Sequence, residues 1–377
     1  MKILQAKRDN KNNWEFLSPK YNLVNPLVFV FGNRYMLESV DIYDDIRQLF
    51  PGGHVVFGTT SGEILGQSVA DGSVVLTAIE FERSSFLISN ENMADHNHSS
   101  GQLGKTLVGN LANENLKHIF VVSEGSTVNG STLIKGMEAV LDTNVTISGG
   151  LCGDDARFER TLASYNSNPR EGEVIAIGLY GGTMEVSCAN YGGWTAFGPM
   201  RTITKSIDNV LYELDGKPAL DLYKSYLGAK ANELPQAALL YPLNVSEPGS
   251  NVEIVRTILN IDEMENSMIL AGDVPEGSKV QLMMSTVDNI AEGASKAATF
   301  GMKNRVKSPE LAILVSCVGR KLVMDQRTEE EVEGVIETIG AQAKVIGFYS
   351  YGEIAPFAGQ HSSKLHNQTM TLTLLSE

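Results

Sequence analysis

No stretch of about 18 apolar residues occurs in this chain of 377 residues, which excludes a membrane-spanning helix. The opening Met1-Lys2-Ile3-Leu4-Gln5-Ala6-Lys7-Arg8 meets charge before the apolar core of a signal peptide forms, so a soluble, cytoplasmic protein without membrane insertion is expected. Positive charge is scarce: 30 Lys and Arg stand against 45 Asp and Glu, a net charge of -15. Nucleic acid and anionic membranes are held by clustered Lys and Arg, so neither is an expected partner. Cysteine is scarcer still. Cys152, Cys188 and Cys317 are widely spaced and form no C-x-x-C or C-x-x-C-H element, which argues against structural zinc and covalently attached haem and fits a reducing compartment. The common catalytic signatures are missing too: no Walker lysine follows Gly58-Thr59-Thr60-Ser61-Gly62, no G-x-G-x-x-G opens a helix after a strand, and neither G-x-S-x-G nor H-E-x-x-H occurs.

What is present is a mixture of buried-strand and amphipathic-helix patterns. Length alone predicts two domains. The interruption at Gly192-Gly193-Trp194 places their boundary, giving residues 1–190 and 191–377. Residues 1–25 read as a short strand or an arm. Pro26 to Phe31 is a continuous apolar strand, 35–50 has helical spacing, and 54–58 is a strand, so the chain opens β-α-β. Ser99 or Ser100 is placed to cap a helix over 102–115. A strand at 118–123, a helix at 130–142 and a strand at 145–148 follow. Strands at 160–166, 173–180 and 184–190 are expected to pair as antiparallel ribbons. Pro218 begins a helix that Gly228 ends. Extended segments are expected at 236–241, 252–259, 267–271 and 279–284. The last part repeats the earlier order, with helices at 286–303 and 328–339 and strands at 311–317, 344–348 and 369–375. The expected fold is α/β: mixed sheets with helices on their outer faces, in two related halves, and a layered α-β-β-α sandwich if the halves pack sheet to sheet.

The most informative feature is a repeated turn. His54 to Ile64 ends Gly58-Thr59-Thr60-Ser61-Gly62-Glu63-Ile64, and Lys344 to Ile354 ends Gly347-Phe348-Tyr349-Ser350-Tyr351-Gly352-Glu353-Ile354. A weaker copy ends Gly149-Gly150-Leu151-Cys152-Gly153-Asp154. Glycine after a buried strand permits a tight turn and lets a ligand approach the main chain. The candidate ligand-binding residues are therefore Thr59, Thr60, Ser61, Gly62 and Glu63, Gly153 and Asp154, and Tyr349, Ser350, Tyr351, Gly352 and Glu353. Arg320, near a strand end, could take a carboxylate bidentately, and His366 could line the same cleft as Glu353. Each has a structural alternative: the carboxylates cap neighbouring backbone, Arg320 pairs at the surface, and His366 satisfies backbone groups. Cys152 and Cys317 lack a local histidine and read as buried apolar residues.

These residues resemble the FIST sensory proteins, an N-terminal FIST module followed by a FIST C module. The N-terminal likeness rests on Gly58 to Ile64, Asn129-Gly130 and Gly149 to Thr161. The C-terminal likeness rests on Leu211-Tyr212-Glu213-Leu214-Asp215-Gly216-Lys217-Pro218, Ser316-Cys317-Val318-Gly319-Arg320, Gly347 to Pro356 and His366-Asn367-Gln368-Thr369. The resemblance implies a prokaryotic signal-input module that binds a small ligand, with amino acids among the proposals. It also implies coupling to a histidine kinase, a cyclic-di-GMP enzyme or a chemotaxis receptor, and for some members haem-based sensing of nitric oxide. Thr59 stands where the family usually has Cys, and Leu151-Cys152-Gly153-Asp154 where it often has Ser-Ala-Gly-Asp. Nothing after residue 377 remains to transmit a signal, so the expected output passes through a separate partner.

Three functions follow as expectations. The first is a sensor that binds an amino acid or related metabolite and has no enzymatic activity or cofactor. The second is a haem sensor with His366 or another histidine as axial ligand. The third is an enzyme using Glu63, Asp154 and Glu353 as acid and base.

Overall fold

Buried apolar strands alternate with short helices three times along the chain. The computed structural model describes residues 1–377 apart from 10–12, 19–21, 40–41, 112–113, 143, 250–252 and 358–359. The first unit contains β1 (Lys2–Arg8), β2 (Trp14–Phe16), β3 (Leu27–Gly32), α1 (Arg34–Leu37), α2 (Ile42–Leu49), β4 (His54–Thr59), β5 (Glu63–Leu65), β6 (Ser68–Ala70) and β7 (Val74–Glu80). The second contains β8 (Ser85–Asn92), α3 (Ser100–Gly109), β9 (Leu116–Ser123), α4 (Gly130–Glu138), β10 (Thr146–Leu151), β11 (Ala163–Tyr165) and β12 (Glu173–Tyr180). The third starts with β13 (Glu185–Tyr191). An insert follows: β14 (Thr195–Ile207), β15 (Val210–Leu214), β16 (Lys217–Pro218), α5 (Ala219–Leu227), β17 (Leu243–Ser246), β18 (Glu253–Arg256), β19 (Ile258–Asp262), β20 (Ser267–Leu270) and β21 (Lys279–Met284). The third unit then resumes with α6 (Val287–Met302), β22 (Leu311–Cys317), α7 (Val318–Met324), α8 (Glu329–Ile339), β23 (Lys344–Ser350), β24 (Gly352–Pro356), β25 (Ser363–His366) and β26 (Met370–Ser376).

Each unit makes the same sheet. A parallel pair (β4 with β3, β10 with β9, β23 with β22) is followed by two antiparallel strands (β7 and β1, β12 and β8, β26 and β13). Each unit also sends an arm into a neighbour's sheet. β5 pairs β23 with Glu63 opposite Phe348, β24 pairs β10 with Glu353 opposite Gly150, and β11 pairs β4 with Ala163 opposite Gly58. The arms thus pass from first to third, third to second and second to first, which interlocks the units in a ring.

The inner faces of the three sheets share one core. Phe31 and Phe348 approach with ring centroids 4.6 Å apart, and Phe29 meets Phe120 edge-on at 5.5 Å, joining all three sheets. Helices cover the outer faces: α2 over the first sheet, α3 and α4 over the second, and α6 and α8 over the third. Burial on both faces explains why every residue of β3 is buried and why the parallel strands read as unbroken apolar runs. The fold is the expected α/β arrangement with outer helices. Its N-terminal half holds two copies of the unit and its C-terminal half one copy plus the insert, so three sheet faces meet where a sandwich would join two.

Local signals held in most places. Ser99 caps α3 through the Gln102 amide, and Gly228, at φ +56°, ends α5. Other expectations did not hold. The 35–50 helix is two short helices, and α3 stops at Gly109. Residues 236–240 form a 3-10 turn, not a strand. β11, β12 and β13 lie in three different sheets, so the antiparallel ribbons are overturned by long-range pairing that local periodicity does not encode.

Candidate functional site

The three Gly-rich turns meet at one junction. The Ser61 amide donates to the Tyr349 carbonyl (2.8 Å) and the Tyr349 amide to the Gly62 carbonyl (2.8 Å). The Gly153 amide donates to the Thr59 carbonyl (2.9 Å), the Asp155 amide to the Thr60 carbonyl (3.3 Å) and the Tyr351 amide to the Leu151 carbonyl (3.2 Å). The Ser61 hydroxyl donates to the Asp155 carbonyl (2.7 Å). Turns far apart in sequence therefore brace one another through their main chains.

The carboxylates at the junction are spent on the fold. Glu63 accepts from the Thr60 hydroxyl (2.5 Å) and from the Ser73 amide and hydroxyl (3.1 and 2.6 Å). Glu353 accepts from the Ser350 hydroxyl (2.8 Å) and from the Thr369 amide and hydroxyl (3.1 and 2.9 Å). Burial pushes Glu63 up to about 7 and Glu353 up to about 8, against the lowering effect of those hydrogen bonds. Asp154 is different: its Oδ1 takes Arg157 Nε and Nη2 (3.0 and 2.6 Å) and lies 3.2 Å from Arg34 Nε. Arg320 is fully buried on Glu331 (2.7 and 3.0 Å), whose other oxygen accepts from Tyr349 Oη (2.5 Å) and Ser316 Oγ (2.9 Å).

Open space lies outside the carboxyl ends of the parallel strands, where α/β sheets form crevices. In the third unit a cleft of about 540 Å³ is bounded by Ser61, Asp71, Asp155, Lys321, Asp325 and Glu329. Lys321 Nζ donates to the Ser61 carbonyl (2.8 Å), pairs with Asp71, and stands 5.7 Å over the Tyr349 ring. In the second unit the equivalent cleft, about 240 Å³, lies between the loop from Gly125 to Gly130, Leu151, Tyr351 and the insert residues Asn209, Leu259, Leu270 and Gly272. At the first unit's strand ends side chains stand in the equivalent place: its own Arg34 and the second unit's Arg157 lie on the Tyr35 ring, each 4.7 Å from its centroid, and bind Asp154 of the second unit. A wider cleft of about 1080 Å³ lies between β1, β2 and the β5–β6 arm, with Glu63 among its walls.

The FIST N domain profile matches residues 26–217 and the FIST C domain profile matches residues 219–356. This chain belongs to the FIST family. FIST domains are associated with sensory signal transduction. An uncharacterized protein of Methanocaldococcus jannaschii is 24% identical over 248 residues, which is 56% of this chain and 45% of that protein. The chain thus spans less than half of that relative's length.

Set on the FIST structure, the sequence-derived candidates separate. Thr59, Thr60, Ser61, Gly62, Gly153, Asp154, Tyr349, Ser350, Tyr351 and Gly352 gather at the junction, but among them Ser61 and Tyr351 are the ones that border the strand-end clefts. Arg320 and Glu353 are buried and fully engaged. His366 borders none of these clefts. It is buried, with Nε2 3.0 Å from the Ala355 carbonyl and its ring against Phe357, and burial lowers its pKa to about 4. So enclosed, His366 itself does not fit as an axial ligand to a haem iron. Among the described residues no group of three or more His, Cys, Asp or Glu could hold a metal ion, and no helix is long and apolar enough to cross a membrane.

Lys321, Asp71 and Asp155 were missed. Lys321 sits beside the Arg320 that drew attention. Successive residues of a helix are about 100° apart, so Arg320 turns inward to Glu331 while Lys321 faces the cleft.

Proposed function

We propose that this chain is a sensory input module that binds a small molecule, an amino acid or a related metabolite, in the cleft beside the junction. One observation carries the reading: that cleft is walled by all three interlocked units, with Ser61 and Asp71 from the first, Asp155 from the second and Lys321 from the third. A molecule bound there contacts all three at once. Any difference in its affinity between two arrangements of the units shifts their populations, which is what a signal requires. The wall carries both signs of charge. Lys321 and Asp71 pair with each other and Asp155 pairs with Arg157 (2.9 Å), so an amino acid would bind by exchanging its carboxylate and ammonium group into these pairs.

The output would pass to a separate partner such as a histidine kinase, a cyclic-di-GMP enzyme or a chemotaxis receptor. Three unpaired cysteines are consistent with a cytoplasmic setting. An enzymatic reading has less support, because Asp154 and Glu353 open on none of these clefts and Glu63 is held by three hydrogen bonds. Thermal-shift measurements across a panel of amino acids and related metabolites test the reading. A ligand that raises the melting temperature in a saturable way supports it, and a panel that leaves the folded protein unmoved at millimolar concentration contradicts it.

A further inference from the structure

The acids that wall the cleft beside the junction outnumber its cations. Among the residues bounding it, Asp71, Asp155, Asp325 and Glu329 stand against Lys321. Lys321 pairs with Asp71 and Arg157 with Asp155, which leaves Asp325 and Glu329 without an ion pair among the described residues. Arg327 lies between them in sequence but binds Asp288 and Glu330. A ligand that is neutral overall leaves this imbalance in place.

Three of these carboxylates, one from each unit, are held in place by the fold. Asp71 gives Oδ1 to Lys321 Nζ, and Asp155 gives Oδ2 to Asn33 Nδ2 (3.3 Å) and Arg157 Nη1 (2.9 Å). Glu329, in the first turn of α8, gives Oε1 to the Val69 amide of the β5–β6 arm (3.1 Å). In each the second oxygen has no partner among the described residues. A carboxylate fixed through one oxygen presents the other in a defined place, which lowers the ordering cost of binding a donor there.

The carboxylates do not converge on one point, since among the described residues no three acids, histidines or cysteines group closely enough to hold a metal ion. Negative charge spread along a cleft suits an elongated ligand with more than one cationic group instead. Lys321 gives the same wall a place for a carboxylate, its Nζ kept there by the Ser61 carbonyl and the Tyr349 ring.

We propose that the ligand of this cleft is a basic amino acid. Lys321 receives its carboxylate, Asp71 and Asp155 its α-ammonium group, and Glu329 with Asp325 its side-chain cation. The α-ammonium group then joins the first unit to the second, and the side-chain cation adds acids of the third. A neutral amino acid makes the first two contacts and lacks the last. The inference rests on the sensory reading above and names the ligand class for the same cleft.

Calorimetric titration of the full chain with L-lysine, L-norleucine and 1,5-diaminopentane tests the class, because norleucine lacks the side-chain ammonium group and the diamine lacks the carboxylate. Lysine is expected to bind about fivefold or more tighter than either, by a margin that shrinks as salt rises. Glu329→Gln and Asp325→Asn should each reduce the preference for lysine and leave norleucine unchanged. Glutamine keeps an oxygen for the Val69 amide, so the arm stays in place, and circular dichroism checks that both variants fold. Norleucine binding as tightly as lysine, or a preference that both substitutions leave intact, overturns the basic class and leaves the sensory reading standing. Equal binding of the diamine overturns the amino-acid assignment. Binding of another amino acid but of none of these probes overturns this inference alone, and binding of no amino acid overturns both.

Discussion

Glu63 and Glu353 hold the same place in two different units. Each takes a hydroxyl three residues earlier, Thr60 or Ser350, and then the amide and hydroxyl of a residue just before the strand that returns from the arm, Ser73 or Thr369. The repeated Gly-Glu turn is therefore a clasp at the base of an exchanged arm. The carboxylate that stands out in the sequence secures the fold, and the open cleft lies beside it.

The clasp predicts a dependence of stability on pH. Both folded-state pKa values, about 7 and about 8, lie above the ordinary 4.5, so the folded chain keeps protons that the unfolded chain releases. That contribution is complete below pH 4.5 and is lost as pH rises through 7 and 8. His118 and His366 act oppositely. Their pKa values are lowered by burial from 6.5 to about 3 and about 4, so they cost stability only as pH falls below 6.5. Between pH 6.5 and 8 the carboxylates dominate these four groups, and unfolding free energy should fall by on the order of 2 kcal/mol. Urea denaturation at several pH values checks this. Glu63→Gln and Glu353→Gln should each flatten the slope, because a neutral amide can donate to the nearby hydroxyl and accept from the amide.

Arg320 and Glu331 should behave as a buried structural pair. Glu331→Ala leaves Arg320, Tyr349 and Ser316 without their acceptor and should cost about 3–5 kcal/mol in denaturant unfolding. Arg320→Met with Glu331→Leu should recover much of that loss, since no charge then remains buried alone. A double variant no more stable than Glu331→Ala would contradict this account.

Two glycines should respond very differently to alanine. At Gly149, φ is +136° and a Cβ would run into the Val121 carbonyl of the neighbouring parallel strand. Gly149→Ala should destabilise by several kcal/mol, on the order of 3 or more, because backbone must move. Gly66, at φ +62°, has nothing near its missing Cβ, so Gly66→Ala should cost only about 1–2 kcal/mol of left-handed strain. Thermal melts of the two variants make the comparison.

Elements with strong local patterns were legible in the sequence: β3, β4, β9, β22 and β23 as strands, and α4, α6 and α8 as helices. The duplication was legible too, through Gly62-Glu63 and Gly352-Glu353. The exchange of arms was not, because β5 and β24 find their partners roughly 280 and 200 residues away, and nothing in a three- to five-residue strand names its partner. The candidate site was half legible for the same reason. The turns announce themselves by glycine, whereas Lys321, Asp71 and Asp155 become a site only when three units close on one another.

The central claim is that the cleft walled by the three units binds a small zwitterionic ligand. Isothermal titration of the full chain with amino acids, repeated with Lys321→Ala and Asp155→Asn, tests it most directly. The account predicts saturable binding of at least one amino acid, weakened about tenfold or more by each substitution while the variants stay folded. Absence of heat at millimolar ligand, or binding that both variants retain unchanged, would contradict it.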